Sequence, residues 1–179
     1  MDSTKASPIQ GLATELFRRE HLQIKQSLAQ VGDLVGHLHA YPQISARKTM
    51  DEVVQLLKKA IGPHADWEDR VLYPIIDRCA VSGPHPFTST MRHEHKIIAR
   101  QLDDLALEVL RSSPDAKRFA RHADNLLGLI AAHFENEEEV LLVILDASMT
   151  AEEFRRAIVN QEEHGVGPAV ACQTQCHGG

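Results

Sequence analysis

Apolar residues in this chain recur every three or four positions, in runs long enough for helices, and nowhere sustain the two-residue alternation of a strand. Breaker segments separate the runs: AYPQIS at 40–45, VSGPHP at 81–86 and SSP at 112–114. The pattern predicts four long helices, at about residues 8–38, 46–79, 86–111 and 114–146. Ser7-Pro8 and Ser113-Pro114 each offer a capping serine followed by a proline suited to the first turn. Thr150 and Glu153 have the spacing of a capping box, which starts a shorter fifth helix. Long amphipathic helices with short connections predict an all-α fold, an antiparallel up-down-up-down four-helix bundle with a short additional C-terminal helix. The expected division is a bundle with its appended helix over residues 1–165 and a flexible tail over 166–179. Pro63 conflicts with a smooth second helix, at a cost of about 3 kcal/mol, and predicts a kink just before His64 in preference to a break into two helices.

The pattern is written twice. Residues 64–77 read HADWEDRVLYPIID and residues 133–146 read HFENEEEVLLVILD, with six identical positions. The first and third helices share a Glu-His pair, Glu20-His21 and Glu94-His95. Counting from each His gives matched stripes, Phe17, His21, Ile24, Leu28, Val31, Val35 and Met91, His95, Ile98, Leu102, Leu105, Val109. The second and fourth helices run Leu57, Ile61, His64, Glu68, Val71, Ile75 and Leu126, Ile130, His133, Glu137, Leu141, Ile144. A four-residue step keeps His and Glu on one helix face, here the apolar one. Four histidines and two glutamates are thus aimed at the core. Each His lies ~24–27 Å from its hairpin's turn, at 1.5 Å per residue, so antiparallel pairing brings all six to one depth.

Two carboxylates buried together repel each other, and each costs several kcal/mol without a partner. Cations remove the problem. Glu68 and Glu137 can bridge two metals while His21, His64, His95 and His133 fill terminal positions. That leaves room for an oxo or hydroxo bridge and an exogenous molecule. Mixed His and carboxylate ligation suits iron or manganese, and zinc less specifically. The alternatives are a metal-free buried polar network and a structural zinc site.

With these residues in the order H–HxxxE–H–HxxxE, and VLYP after the first carboxylate, the sequence resembles the hemerythrin family, the HHE cation-binding domain, over about residues 8–146. The resemblance implies a four-helix bundle around a non-haem di-iron centre, with Glu68 and Glu137 bridging and the four histidines as terminal ligands. Oxygen-carrying hemerythrins have a second His one turn before the third-helix ligand. That slot is Met91 here, and His93 points about 160° away from His95. The departure weakens the oxygen-carrier reading and is similar to the pattern of di-iron proteins linked to nitric oxide stress, iron–sulfur cluster repair and peroxide turnover. The expectation is a centre that binds and turns over peroxide, O2 or NO, catalase-like or as an NO- or O2-linked oxidoreductase in oxidative stress. The alternative is an iron- or oxygen-sensing or storage-type binding module without catalysis.

Composition narrows this further. A net charge of -6 without a basic cluster argues against nucleic acid. Apolar runs such as VLLVIL are too short to span a membrane. MDSTKASPIQ shows no secretory pattern, and three cysteines make no disulfide framework, so a cytoplasmic protein is expected. Of the other histidines among eleven, His37, His39, His85, His122 and His164 are expected at the surface or bundle ends. Cys79 is expected as a buried thiol, and Cys172, Cys176 and His177 as part of the tail. Glu20 and Glu94 stand as either imidazole-orienting groups or solvated flank charges. Trp67 and Tyr73 are expected to serve as packing.

Overall fold

The computed structural model describes residues 12–80 and 86–164, and among these there is no strand. Helix α1 spans Glu15–His37 and ends in a short 3-10 turn, Leu38–Ala40. Helix α2 spans Gln43–Trp67, passes through a π-helical turn at Glu68–Leu72, and continues as α3, Tyr73–Cys79. Helix α4 is Ser89–Val109. Helix α5, Ala116–Asn136, passes through a second π-helical turn at Glu137–Leu141 into α6, Leu142–Ser148. Helix α7 is Ala151–His164. Among the described residues no helix is long and apolar enough to cross a membrane.

The amphipathic stripes set the packing. The buried residues of α1 are Phe17, His21, Ile24, Leu28, Val31 and Val35, the stripe read from the sequence. Helix α1 packs on α2 and α5, and α4 packs on the same two. Two apolar clusters result. One holds Ile24 to Val35 of α1 with Leu57, Leu102 and Leu126, and the other holds Phe17, Met91, Val71, Leu141 and Phe154. Along every long helix the His or Glu positions fall between these clusters. The polar layer is therefore sealed above and below by hydrocarbon.

Several boundaries differ from the sequence reading. Ser7-Pro8 lies outside the described residues, and within them the helix begins at Glu15 after a turn at Ala13 and Thr14. The third long helix begins at Ser89 rather than 86. In both places a buried threonine, Thr14 or Thr88, gives its backbone N–H and hydroxyl to an aspartate, Asp146 or Asp77, instead of capping its own helix. Asp115, not Ser113, caps α5, accepting from the N–H groups of Lys117 and Arg118. Helix α2 runs unbroken through Pro63. Gly62 and Pro63 face solvent, where water can satisfy the carbonyl that a proline leaves free. The irregular turn lies further on, at Glu68. The Thr150–Glu153 capping box is present, with Thr150 N–H donating to Glu153 and Glu153 N–H to Thr150 Oγ1.

At the end of the bundle remote from the polar layer, Glu108 is 6% exposed and accepts from the Asp115 N–H, Arg111 and Arg118. Burial alone would raise its pKa, but these donors outweigh it and hold the carboxyl below its ordinary value. A carboxyl depressed on folding stabilises the protein above its unfolded pKa, and that contribution fades as pH falls through the folded value. Glu108→Gln is expected to cost about 1–3 kcal/mol at neutral pH. The gap to wild type should close as pH drops below 4.5, measured by urea unfolding.

Candidate metal centre

Six side chains from four helical rods meet in the polar layer. His21 comes from α1, His64 from α2 and Glu68 from the π-helical turn that follows it. His95 comes from α4, His133 from α5 and Glu137 from the second π-helical turn. All six are buried. The Nε2 atoms of His21 and His64 lie 3.1 Å apart, as do those of His95 and His133. Glu68 spans the two pairs. Its Oε1 is 3.0 Å from His64 Nε2 and 3.7 Å from His21 Nε2, and its Oε2 is 3.1 Å from His95 Nε2. Glu137 Oε2 sits between the pairs as well, 3.5 Å from His21 Nε2 and 3.7 Å from His133 Nε2.

The far side of every imidazole is also held. His21 Nδ1 meets Glu138 at 3.0 Å, His64 Nδ1 meets Glu20 at 3.4 Å, His95 Nδ1 meets Asp69 at 3.1 Å, and His133 Nδ1 meets Glu94 at 2.8 Å. Each carboxylate comes from a neighbouring rod. A carboxylate only accepts, so each Nδ1 carries a hydrogen and each ring turns its Nε2 inward, where it can give a lone pair to a cation. Four inward Nε2 atoms then face three buried carboxylate oxygens that have no hydrogen-bond partner: Glu68 Oε1, Glu68 Oε2 and Glu137 Oε2. In a dry layer these nitrogens and oxygens need either shared protons or cations between them, and cations satisfy both kinds of donor atom at once. The donor set fits two positions. Ligand atoms of His21, His64, Glu68 and Glu137 lie within 4.8 Å of one another, and those of Glu68, His95 and His133 do likewise.

A family model for the hemerythrin HHE cation binding domain matches residues 12–145. This chain belongs to the hemerythrin HHE family. Comparison with curated proteins and with solved structures returned no match. Within the hemerythrin HHE frame the two halves of the site are not equivalent. The His21–His64 side is walled by aromatic rings, with Phe17 4.5 Å and Phe134 4.5 Å from the His21 ring. On the other side, the Tyr73 hydroxyl donates to Glu137 Oε1 at 2.5 Å and lies 3.2 Å from His95 Nε2. The residue at the matching place in the second repeat is Leu142, which has no such group.

Burial penalises charge on both glutamates. At Glu68 the imidazoles of His21, His64 and His95 outweigh burial and hold the carboxyl well below its ordinary range. At Glu137 burial and the adjacent Glu68 act together and push it well above. Burial also works against a charged His64, yet Glu68 and Glu20 raise its pKa. Burial lowers His133 despite Glu94. The Tyr73 phenol is held neutral, first by burial and then by the Glu68 and Glu137 carboxylates.

All six ligands expected from the sequence reach this layer, and His93 is exposed as expected. Glu20 and Glu94, open between two roles in the sequence, both sit on imidazoles. Tyr73 is more than the packing residue that its sequence context suggests, because its hydroxyl lies in the polar layer. Asp69 and Glu138 escape the sequence reading. Their signal is nonetheless there, since an acidic residue follows the Glu of each repeat, in WED and NEE. Trp67 stacks on Phe17 at 5.8 Å and donates its indole N–H to Glu162. His37, His39 and His122 are exposed, and Cys79 is a buried thiol. His85, Cys172, Cys176 and His177 lie outside the described residues, as does the side chain of His164.

Proposed function

We propose that His21, His64, Glu68, His95, His133 and Glu137 hold two iron ions, and that the centre binds and turns over a small oxidant such as peroxide, O2 or NO. One observation carries the reading: four inward imidazole nitrogens and three carboxylate oxygens without a partner are gathered in one buried layer. Imidazole with carboxylate is a donor set suited to iron, with manganese or zinc as weaker alternatives. The packing order of the helices supports the antiparallel four-helix arrangement, and a cytoplasmic site of action completes the proposal.

Bound iron would supply the redox chemistry and a position for the oxidant. The chain supplies the rest. Glu20, Glu94, Asp69 and Glu138 fix the tautomer and tilt of the rings. Phe17 and Phe134 keep water from the His21–His64 side. A cavity of about 400 Å³ lined by Phe17, Glu20, Trp67 and Phe154 ends against that aromatic wall, outside the six ligands. Tyr73 holds a proton beside Glu137 and His95. Met91 is buried and brings no nitrogen to that side.

The test is metal analysis followed by peroxide turnover. The protein purified with iron should carry about two irons per chain, with charge-transfer bands that azide alters, and should evolve oxygen from peroxide. A zinc-filled, spectroscopically silent protein would end the redox reading. Tyr73→Phe should keep both irons while slowing turnover about 100-fold, the size expected for a positioned proton donor. Unchanged turnover would reduce Tyr73 to packing. A sensing role has one observation of its own. Gln161 of α7 donates to the Arg70 carbonyl in the turn that carries Glu68, so α7 touches the element that occupancy would tighten.

A further inference from the structure

The π-helical turns raise a question that the six inward side chains do not answer. Each begins at the inward glutamate. The Tyr73 N–H reaches back five residues to the Glu68 carbonyl, and the Leu142 N–H does the same to Glu137. Such a turn carries one extra residue and spoils the regular hydrogen-bond ladder, so it persists only where something outside the helix holds it.

In both halves an arginine from the neighbouring helix holds it. Arg18 Nη1 donates to the Glu138 carbonyl at 3.2 Å, and Arg92 Nη1 donates to the Asp69 carbonyl at 2.7 Å. These are the carbonyls of the two residues whose side chains hold His21 and His95 by Nδ1. Each arginine is itself fixed. Arg18 Nε bonds Thr14 Oγ1 at 3.1 Å, and its Nη2 bonds Asp146 at 3.1 Å. Arg92 Nε bonds Thr88 Oγ1 at 3.2 Å, and its Nη2 lies 3.6 Å from Asp77. The threonines in turn give N–H and hydroxyl to the same aspartates. Both repeats spell the device at one spacing, TELFRREH and TSTMRHEH, with Asp77 and Asp146 closing the HxxxE phrases.

We propose that Arg18 and Arg92 are positioning residues for the metal centre: each grips the π-helical turn of the opposing rod and so sets the aim of the inward glutamate and of the carboxylate that orients one imidazole. The inference rests on metal binding by the six residues, and not on iron or oxidant turnover. The two halves differ in strength. Pro74 has no N–H to offer the turn at Asp69, so that carbonyl leans on Arg92. Glu138 is also held by Lys25, at 2.7 and 2.8 Å, which gives the Arg18 half a second support.

The test uses the full chain stripped of metal and titrated with cobalt(II) without oxygen, by calorimetry and d–d absorption. Wild type should take up two ions. Arg92→Met should weaken the ion beside His95 about 10–100-fold, the range seen when a ligand-orienting partner is lost, and the other, which shares only Glu68 with that turn, by clearly less. Arg18→Met should do the same to the other ion, with a smaller loss. Arg→Lys at either place keeps the charge but not the fork, and should recover only part of it. Should an arginine variant not fold, Thr88→Val and Asp77→Asn loosen the same grip and should show a milder form of the same one-sided loss. Wild-type affinity for both ions in the variants would overturn the proposal, even if their metal-free melting points fell. Equal weakening of both ions would overturn it too, because that marks general loosening. No cobalt uptake by wild type would instead sink the metal-site reading itself.

Discussion

Glu68→Ala is expected to bring metal content from about two ions per chain to one or fewer, with apparent affinity down more than 100-fold. Both Glu68 oxygens are unpaired, and they face different histidine pairs, His64 with His21 on one side and His95 on the other. Removing them leaves Glu137 Oε2 as the remaining unpaired oxygen between the pairs, because Glu137 Oε1 already accepts from Tyr73. The same substitution should not destabilise the metal-free protein by the usual amount for a buried truncation. Burial of that carboxylate works against folding, so its loss offsets part of what the cavity and the lost imidazole contacts cost. Glu68→Gln, which keeps the volume, is the sharper comparison. Metal analysis and thermal melts in chelator read the two effects separately. A metal-free variant much less stable than metal-free wild type would show that Glu68 serves a structural polar network.

Stripping metal from the wild-type protein should produce the other large effect. A ligand that binds only the folded state stabilises it by about 4 kcal/mol when present at a thousandfold excess over its dissociation constant. Two occupied positions double that. For a chain of this size each kcal/mol moves the midpoint by roughly 2–4 °C, so removal should lower the melting temperature by on the order of 15–30 °C. The physical source is the layer itself. Without cations, imidazole nitrogens 3.1 Å apart are crowded together with carboxylate oxygens that have no partner. Readdition of ferrous iron should restore the midpoint. A melting temperature indifferent to chelator and to added metal would mean that protons alone satisfy the layer.

The repeated stripes make the six inward residues legible in the sequence. Period 3.6 assigns a face to each residue, burial follows the face, and equal depth in matched hairpins brings six polar groups together. That logic holds as long as the helix keeps its period. It fails one turn past Glu68. Tyr73 is five residues on, about 140° round a regular helix and so turned away from the site. The extra residue of the π-helical turn rotates it back, and its hydroxyl reaches Glu137 and His95. Leu142, five residues past Glu137, is likewise fully buried. No local pattern announces an inserted residue, because what stabilises it, Arg92 or Arg18, comes from another helix.

The same division holds for the carboxylates around the histidines. Glu20 and Glu94 sit beside matching histidines in the chain, yet each bonds the imidazole of a different helix, His64 and His133. Asp69 and Glu138 serve His95 and His21 across 26 and 117 residues of sequence. What the sequence determined by itself is which residues turn inward and at what depth, since amphipathic period and helix length are local properties. Which carboxylate holds which ring, where the helices admit an extra residue, and why the two halves of the centre differ were decided only by tertiary structure, because hydrogen bonds between rods depend on how the rods are rotated against each other.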